Sequence, residues 1–193
     1  MKKNFISNYF DNKSGEKLKN TITKNWDSTK DHIKILNIDN NSKRILEVGC
    51  GVGRILKEIS KDKDLCVGFD ASKSMIDEGK IYCQNIDNIK LYNCNGDGLL
   101  NYDDLSFDYA FSFITFQHIP NTNAVLKYIS EMYRLLEFSG KINIQFLTND
   151  EFPEKETWTY HNLDDIIFYM KKINFKNINK INAGRWTFIN ATK

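Results

Sequence analysis

Residues 44–60 read RILEVGCGVGRILKEIS. Residues 43–48 are a short apolar run, glycines follow at 49, 51 and 53, and the stretch 54–61 puts Ile55, Leu56 and Ile59 on one helical face. Strand, glycine loop and helix in that order decide how the rest of the chain is read. Such a loop turns tightly and leaves backbone N–H groups open to a ligand at a helix start. A dinucleotide-binding loop, G-x-G-x-x-G/A, requires a small residue at position 54. This chain has Arg54 there and the spacing G-x-G-x-G, which counts against NAD.

The same unit repeats along the chain. LCVGFD (65–70) reads as a second strand, followed by a helix over 71–83 that Ser72 can cap. NIKLYNC (88–94) is a third strand, and FDYAFSFIT (107–115) is a continuous apolar run, as suits a strand buried on both faces. After Pro120, Val125, Leu126, Ile129, Met132, Tyr133 and Leu136 recur at helical spacing, and Ser139–Gly140 turn the chain into KINIQFL (141–147). LDDIIFYMKKI (163–173) is an amphipathic helix, and two strands meeting at Ala183 and Gly184 end the chain. Repeated βα units predict an α/β domain over 43–193. It has a single doubly wound, mostly parallel sheet of seven strands, helices on both faces and an antiparallel C-terminal hairpin strand. Ligands of such sheets bind at the carboxyl ends of the strands, beside the switch in strand order.

Bulk properties bound the partners. A chain of 193 residues suits one domain, and 41% hydrophobic with 27% charged residues is a globular composition. The 27 basic and 25 acidic residues are mixed, leaving a net charge of +2 and no electrostatic footprint for nucleic acid. No apolar stretch approaches the ~18–20 residues that cross a bilayer. The N-terminus lacks the apolar core of a secretory signal, so a cytoplasmic protein is expected. Cys50, Cys66, Cys83 and Cys94 form no C-x-x-C pair and have no histidine at metal spacing, so they read as reduced, mostly buried thiols with no metal.

Glu47, Gly49, Gly51 and Gly53 form the pattern acid-x-G-x-G-x-G. In this the chain resembles the class I S-adenosylmethionine-dependent methyltransferases, a Rossmann-like family, over residues 43 to about 192. The resemblance implies that the loop, with Cys50, packs on the aminocarboxypropyl end of the cofactor while Glu47 sits near its amino group. Opposite charges at that range attract. It further implies that Asp70, ending the second strand, accepts from the ribose hydroxyls, with Ala71 and Met75 beside the adenine. Asp97, in CNGDGLL, would accept from the adenine amino group, Gly96 and Gly98 letting the backbone come close, and Phe113 completes the cofactor set. Ordinary roles compete: a helix cap for Asp70, core packing for Met75, a surface turn for Asp97.

The acceptor is read from the segment after the fourth strand, SFITFQHIPN (112–121). It carries neither the Asn/Asp-Pro-Pro-aromatic signature of base and glutamine N-methyltransferases nor the Pro-Cys of cytosine-C5 enzymes, and so looks like a small-molecule enzyme. His118 is a candidate general base for a hydroxyl acceptor, or a histidine that holds the turn before Pro120. Gln117 and Gln145 are candidates to orient the acceptor. Residues 1–42 are expected to form a helical lid carrying Trp26, and Trp158 and Tyr160 in 148–162 line the acceptor site or seal the core. His32 and His161 have no comparable placement. The expected activity is methyl transfer to an oxygen or nitrogen of a small molecule, by a monomer or homodimer. The rivals are a non-catalytic protein binding S-adenosylmethionine or S-adenosylhomocysteine, and a nicotinamide-dependent oxidoreductase.

Overall fold

Adjacent residues of the central strands face opposite cores. In β1 (Arg44–Val48), Ile45 pairs with Cys66 of β2 (Leu65–Asp70) and Tyr109 of β4 (Phe107–Ser112), while Leu46 pairs with Val67 and Ala110. The first trio belongs to a core completed by Leu36, Ile55, Leu56 and Ile76. The second trio belongs to another, completed by Val125, Ile129, Met132, Ile166 and Met170. Side chains alternate along a strand, so the near-continuous apolar runs read in the sequence are what a sheet covered on both faces requires. The first face is covered by α1 (Thr29–Leu36), α2 (Arg54–Ile59) and α3 (Lys73–Tyr82), the second by α4 (Thr122–Leu135) and α5 (Leu163–Lys172). The computed structural model describes residues 29–36, 38, 40–98, 100–103, 105–147 and 158–193.

The seven strands run in the order β3-β2-β1-β4-β5-β7-β6, where β3 is Ile89–Asn93, β5 Leu136–Leu147, β6 Lys176–Ala183 and β7 Trp186–Thr192. β1 to β5 are parallel, and β7 runs antiparallel between β5 and β6. The expected doubly wound sheet is present, with its switch between β1 and β4. Ser72 caps α3, its Oγ accepting from the Met75 N–H at 3.2 Å.

Two local expectations change. The run 107–115 is strand only to Ser112, because Ile114 adopts φ 53° and turns the chain out of the sheet. Ser139–Gly140 is no turn between helix and strand: β5 begins directly after α4 at Leu136, and Ser139, at φ 67°, lies in an irregular stretch that shifts the β4–β5 register. All four cysteines are free thiols, three of them buried. Among the described residues no helix is long and apolar enough to cross a membrane, and no group of His, Cys, Asp and Glu is set to hold a metal.

Candidate functional site

The glycine loop is fixed by two neighbouring segments, the end of β2 and the chain after β4. The Gly49 and Cys50 N–H groups donate to the Phe69 carbonyl at 2.7 and 3.1 Å. The Gly51 N–H donates to Asp70 Oδ2 at 2.8 Å, while Oδ1 of the same carboxylate accepts from the Ser72 N–H at 2.8 Å. Thr115, from the segment after β4, donates its hydroxyl to the Gly49 carbonyl at 3.2 Å. The glycines do different work. Gly49 has φ 81°, and a Cβ there would meet the Thr115 side chain at 2.1 Å. Gly51 has φ 54°, and a Cβ there would meet nothing within 4 Å among the described residues. A ligand can approach the backbone at Gly51, whereas Gly49 is needed for the fit of two protein segments.

Glu47 is buried at 3% exposure, and its Oε2 has no hydrogen-bond partner among the described residues. Burial pushes its carboxyl well above the usual range; Arg54 pulls it down and Asp70 pushes it further up. A buried carboxyl oxygen without a partner is costly. Arg54, the residue that departs from the dinucleotide pattern, thus contributes positive charge toward Glu47. Cys50 is buried against Gly68, and burial raises its thiol, so it packs as a neutral side chain.

The other expected cofactor residues stand at the carboxyl ends of β2, β3 and β4. Asp70 ends β2, with Ala71 and Met75 half-buried just beyond it. Gly96 and Asp97 are half-buried in the loop after β3, whose start is tied to β2 by the Cys94 N–H donating to the Asp70 carbonyl at 2.9 Å. Gly98 is explained by packing, since a Cβ there would meet the Ala124 carbonyl of α4 at 2.7 Å. Phe113 is 5% exposed, its ring stacked on Phe188 and edge-on to Trp186.

Beyond β4 the chain forms a short 3-10 turn, Phe116–His118. Here Gln145 of β5, fully buried, accepts the Ile114 N–H on Oε1 at 2.7 Å, and its Nε2 donates to Gln117 Oε1 at 3.4 Å. Gln117 Nε2 lies 3.3 Å from His118 Nε2. Gln145, Gln117 and His118, three of the acceptor-side candidates read in the sequence, therefore form one hydrogen-bonded row. A strap from the 148–162 segment crosses it, and the sequence reading missed the part His161 plays there. The Thr159 N–H donates to the Gln117 carbonyl at 2.7 Å, and His161 Nε2–H donates to the Phe116 carbonyl at 3.1 Å while Nδ1 accepts from the Thr122 hydroxyl at 3.1 Å. Burial lowers the His161 pKa below 6.5. Trp158 and Tyr160 flank the strapped residue, both half-buried.

Residues 45–140 match a family model described as a methyltransferase domain. A putative methyltransferase, YrhH of Bacillus subtilis, is 30% identical over 131 residues, which are 66% of this chain and 71% of that protein. The chain belongs to the class I S-adenosylmethionine-dependent methyltransferases. Demethylmenaquinone methyltransferase of Staphylococcus epidermidis is 32% identical over 111 residues, 55% of this chain and 44% of that enzyme. A solved structure of Haemonchus contortus phosphoethanolamine N-methyltransferase 2 with S-adenosyl-L-methionine superposes with a TM-score of 0.72 at 19% identity, covering 87% of this chain and 52% of that one. The chain thus spans about half the length of both enzymes.

Within this methyltransferase fold, Trp26 and the expected lid fall outside the described residues except for α1 and a few residues before β1. The carboxyl end of α1 is anchored in the core. Leu36 is fully buried, and its carbonyl accepts from Tyr109 Oη and Asn143 Nδ2, each at 2.9 Å.

Proposed function

We propose that the protein binds S-adenosylmethionine at the β1–β4 switch and transfers its methyl group to an oxygen or nitrogen of a small-molecule acceptor. The observation that carries this reading is the pairing of the unsatisfied buried Glu47 Oε2 with the open backbone at Gly51. An ammonium group beside Glu47 satisfies that oxygen, and the cofactor's amino-acid end supplies one. Asp70, whose two oxygens accept from the Gly51 and Ser72 N–H groups, is thereby held at the end of β2, where its carboxylate takes the ribose side of the cofactor. Asp97, Ala71 and Met75 take the adenine side. When bound, S-adenosylmethionine supplies a methyl carbon on a sulfonium, so that an acceptor lone pair forms the new bond while the C–S electron pair stays on sulfur. The residues named here contribute position and exclusion of water, the larger share of such a rate.

The acceptor site belongs to the segment after β4 with the strap 158–162, and residues 1–42 serve as a lid over it. Quinone and phosphoethanolamine enzymes among the similar proteins agree with a small acceptor. A screen of small hydroxy, carboxylic and amino compounds, scored by released S-adenosylhomocysteine, tests the reading. Turnover that disappears in Asp70→Ala supports it. Binding of S-adenosylhomocysteine with no turnover on any compound favours a non-catalytic binding protein.

A further inference from the structure

We propose that Gln145 and Gln117 act as positioning residues that hold His118 as the Nδ1–H tautomer, its Nε2 lone pair committed to Gln117. The direction of the row is set at its buried end. The Ile114 N–H is a backbone donor and has no other role, so the Gln145 atom 2.7 Å from it is the amide oxygen. That leaves Gln145 Nε2 as donor to Gln117 Oε1, which turns Gln117 Nε2, again a donor, toward His118 Nε2. An NH2 group facing a ring nitrogen requires a lone pair on that nitrogen, and in the neutral ring the proton then resides on Nδ1. Flipping either amide sets two donors against each other, at Ile114 or between the glutamines. Both glutamines are buried, at 0% and 4% exposure, so water offers poor compensation. The anchor is itself unusual: Ile114 is β-branched at φ 53°, a strained conformation that needs such support.

This tautomer has a chemical consequence, which rests on the methyl-transfer reading above. A histidine that accepts a hydroxyl proton must offer a lone pair, and here Nε2 gives its lone pair to Gln117 while Nδ1 already carries the proton. Protonating Nε2 breaks the row. The site therefore selects acceptors that arrive with a lone pair and need no base. A carboxylate or ionised phenol has no proton to lose, and a neutral amine releases its proton to solvent after the new bond has formed.

Long-range proton–nitrogen NMR on the full chain labelled with 15N-histidine tests the tautomer directly. Its three histidines are assigned through loss of one signal set in His118→Gln. His118 in the unsubstituted protein is expected to show a protonated Nδ1 and a bare Nε2, with and without S-adenosylhomocysteine. In Gln117→Glu a carboxylate faces the ring, and the proton is expected on Nε2. A protonated Nε2 in the unsubstituted protein at neutral pH overturns the proposal, as does a folded Gln117→Glu whose tautomer is unchanged. Should Gln117→Glu fail to fold, the unsubstituted spectrum alone decides. Failure of S-adenosylhomocysteine to bind counts against the methyltransferase reading and leaves the tautomer assignment as measured.

Discussion

At Glu47, binding and stability pull in opposite directions. Its carboxyl is held above the usual value of 4.5 by burial, so the folded protein keeps this proton more tightly than the unfolded chain does. Stability from this group is full below about 4.5 and declines as pH rises toward the folded value. Glu47→Gln removes that decline. The apo protein should melt higher at neutral pH, by roughly 2–4 °C for each kcal/mol relieved, with a flatter dependence of melting temperature on pH. It should also lose about 1.5–3 kcal/mol of S-adenosylhomocysteine affinity, the worth of a hydrogen bond to a charged group. Thermal scans across pH with parallel titrations check both, and a lower melting temperature with unchanged affinity contradicts the assignment. Glu47 was legible in the sequence because it lies two residues from the loop it serves. Thr115, 66 residues from Gly49, and His161, 45 from Phe116, were not, because their partners are set by how β4 and α5 dock.

Among the elements, the glycine loop and the strap each make a separable prediction. Gly49→Ala places a methyl group into Thr115, while Gly51→Ala meets no described residue and costs about 1–2 kcal/mol for its left-handed backbone. Gly49→Ala should therefore lower the melting temperature severely, and Gly51→Ala should keep a folded protein that binds the cofactor poorly. Equal losses of stability in the two variants would remove the distinction. In the strap, burial lowers the His161 pKa, so its contribution to stability is complete above 6.5 and is lost as pH falls through the folded value. Acidification below 6.5 should lower the melting temperature, and in His161→Asn that step should shrink. An unchanged pH profile in the variant argues against His161 as the strap's fastening.

The whole sheet was readable because each strand carries its own periodicity and each βα unit is local. The order of the last two strands was equally written in the residues, though only packing makes it plain. β7 (WTFINAT) has buried residues on both faces and lies inside the sheet, whereas β6 (KNINKINA) is polar and forms the exposed edge, where Lys176 and Lys180 discourage further pairing. The irregular turns at Ile114 and Ser139 were not legible, because neither residue favours the conformation that tertiary contacts impose on it. Every segment of the site reaches the β1–β4 switch from a different unit of this sheet, so the account stands or falls on what that edge binds. Isothermal titration of the full chain with S-adenosylhomocysteine is the most direct test. One site per chain is predicted, and saturation at 100 times the dissociation constant should stabilise the fold by about 2.7 kcal/mol. No binding heat and no thermal shift up to about 1 mM, equivalent to less than roughly 4 kcal/mol of affinity, would contradict it.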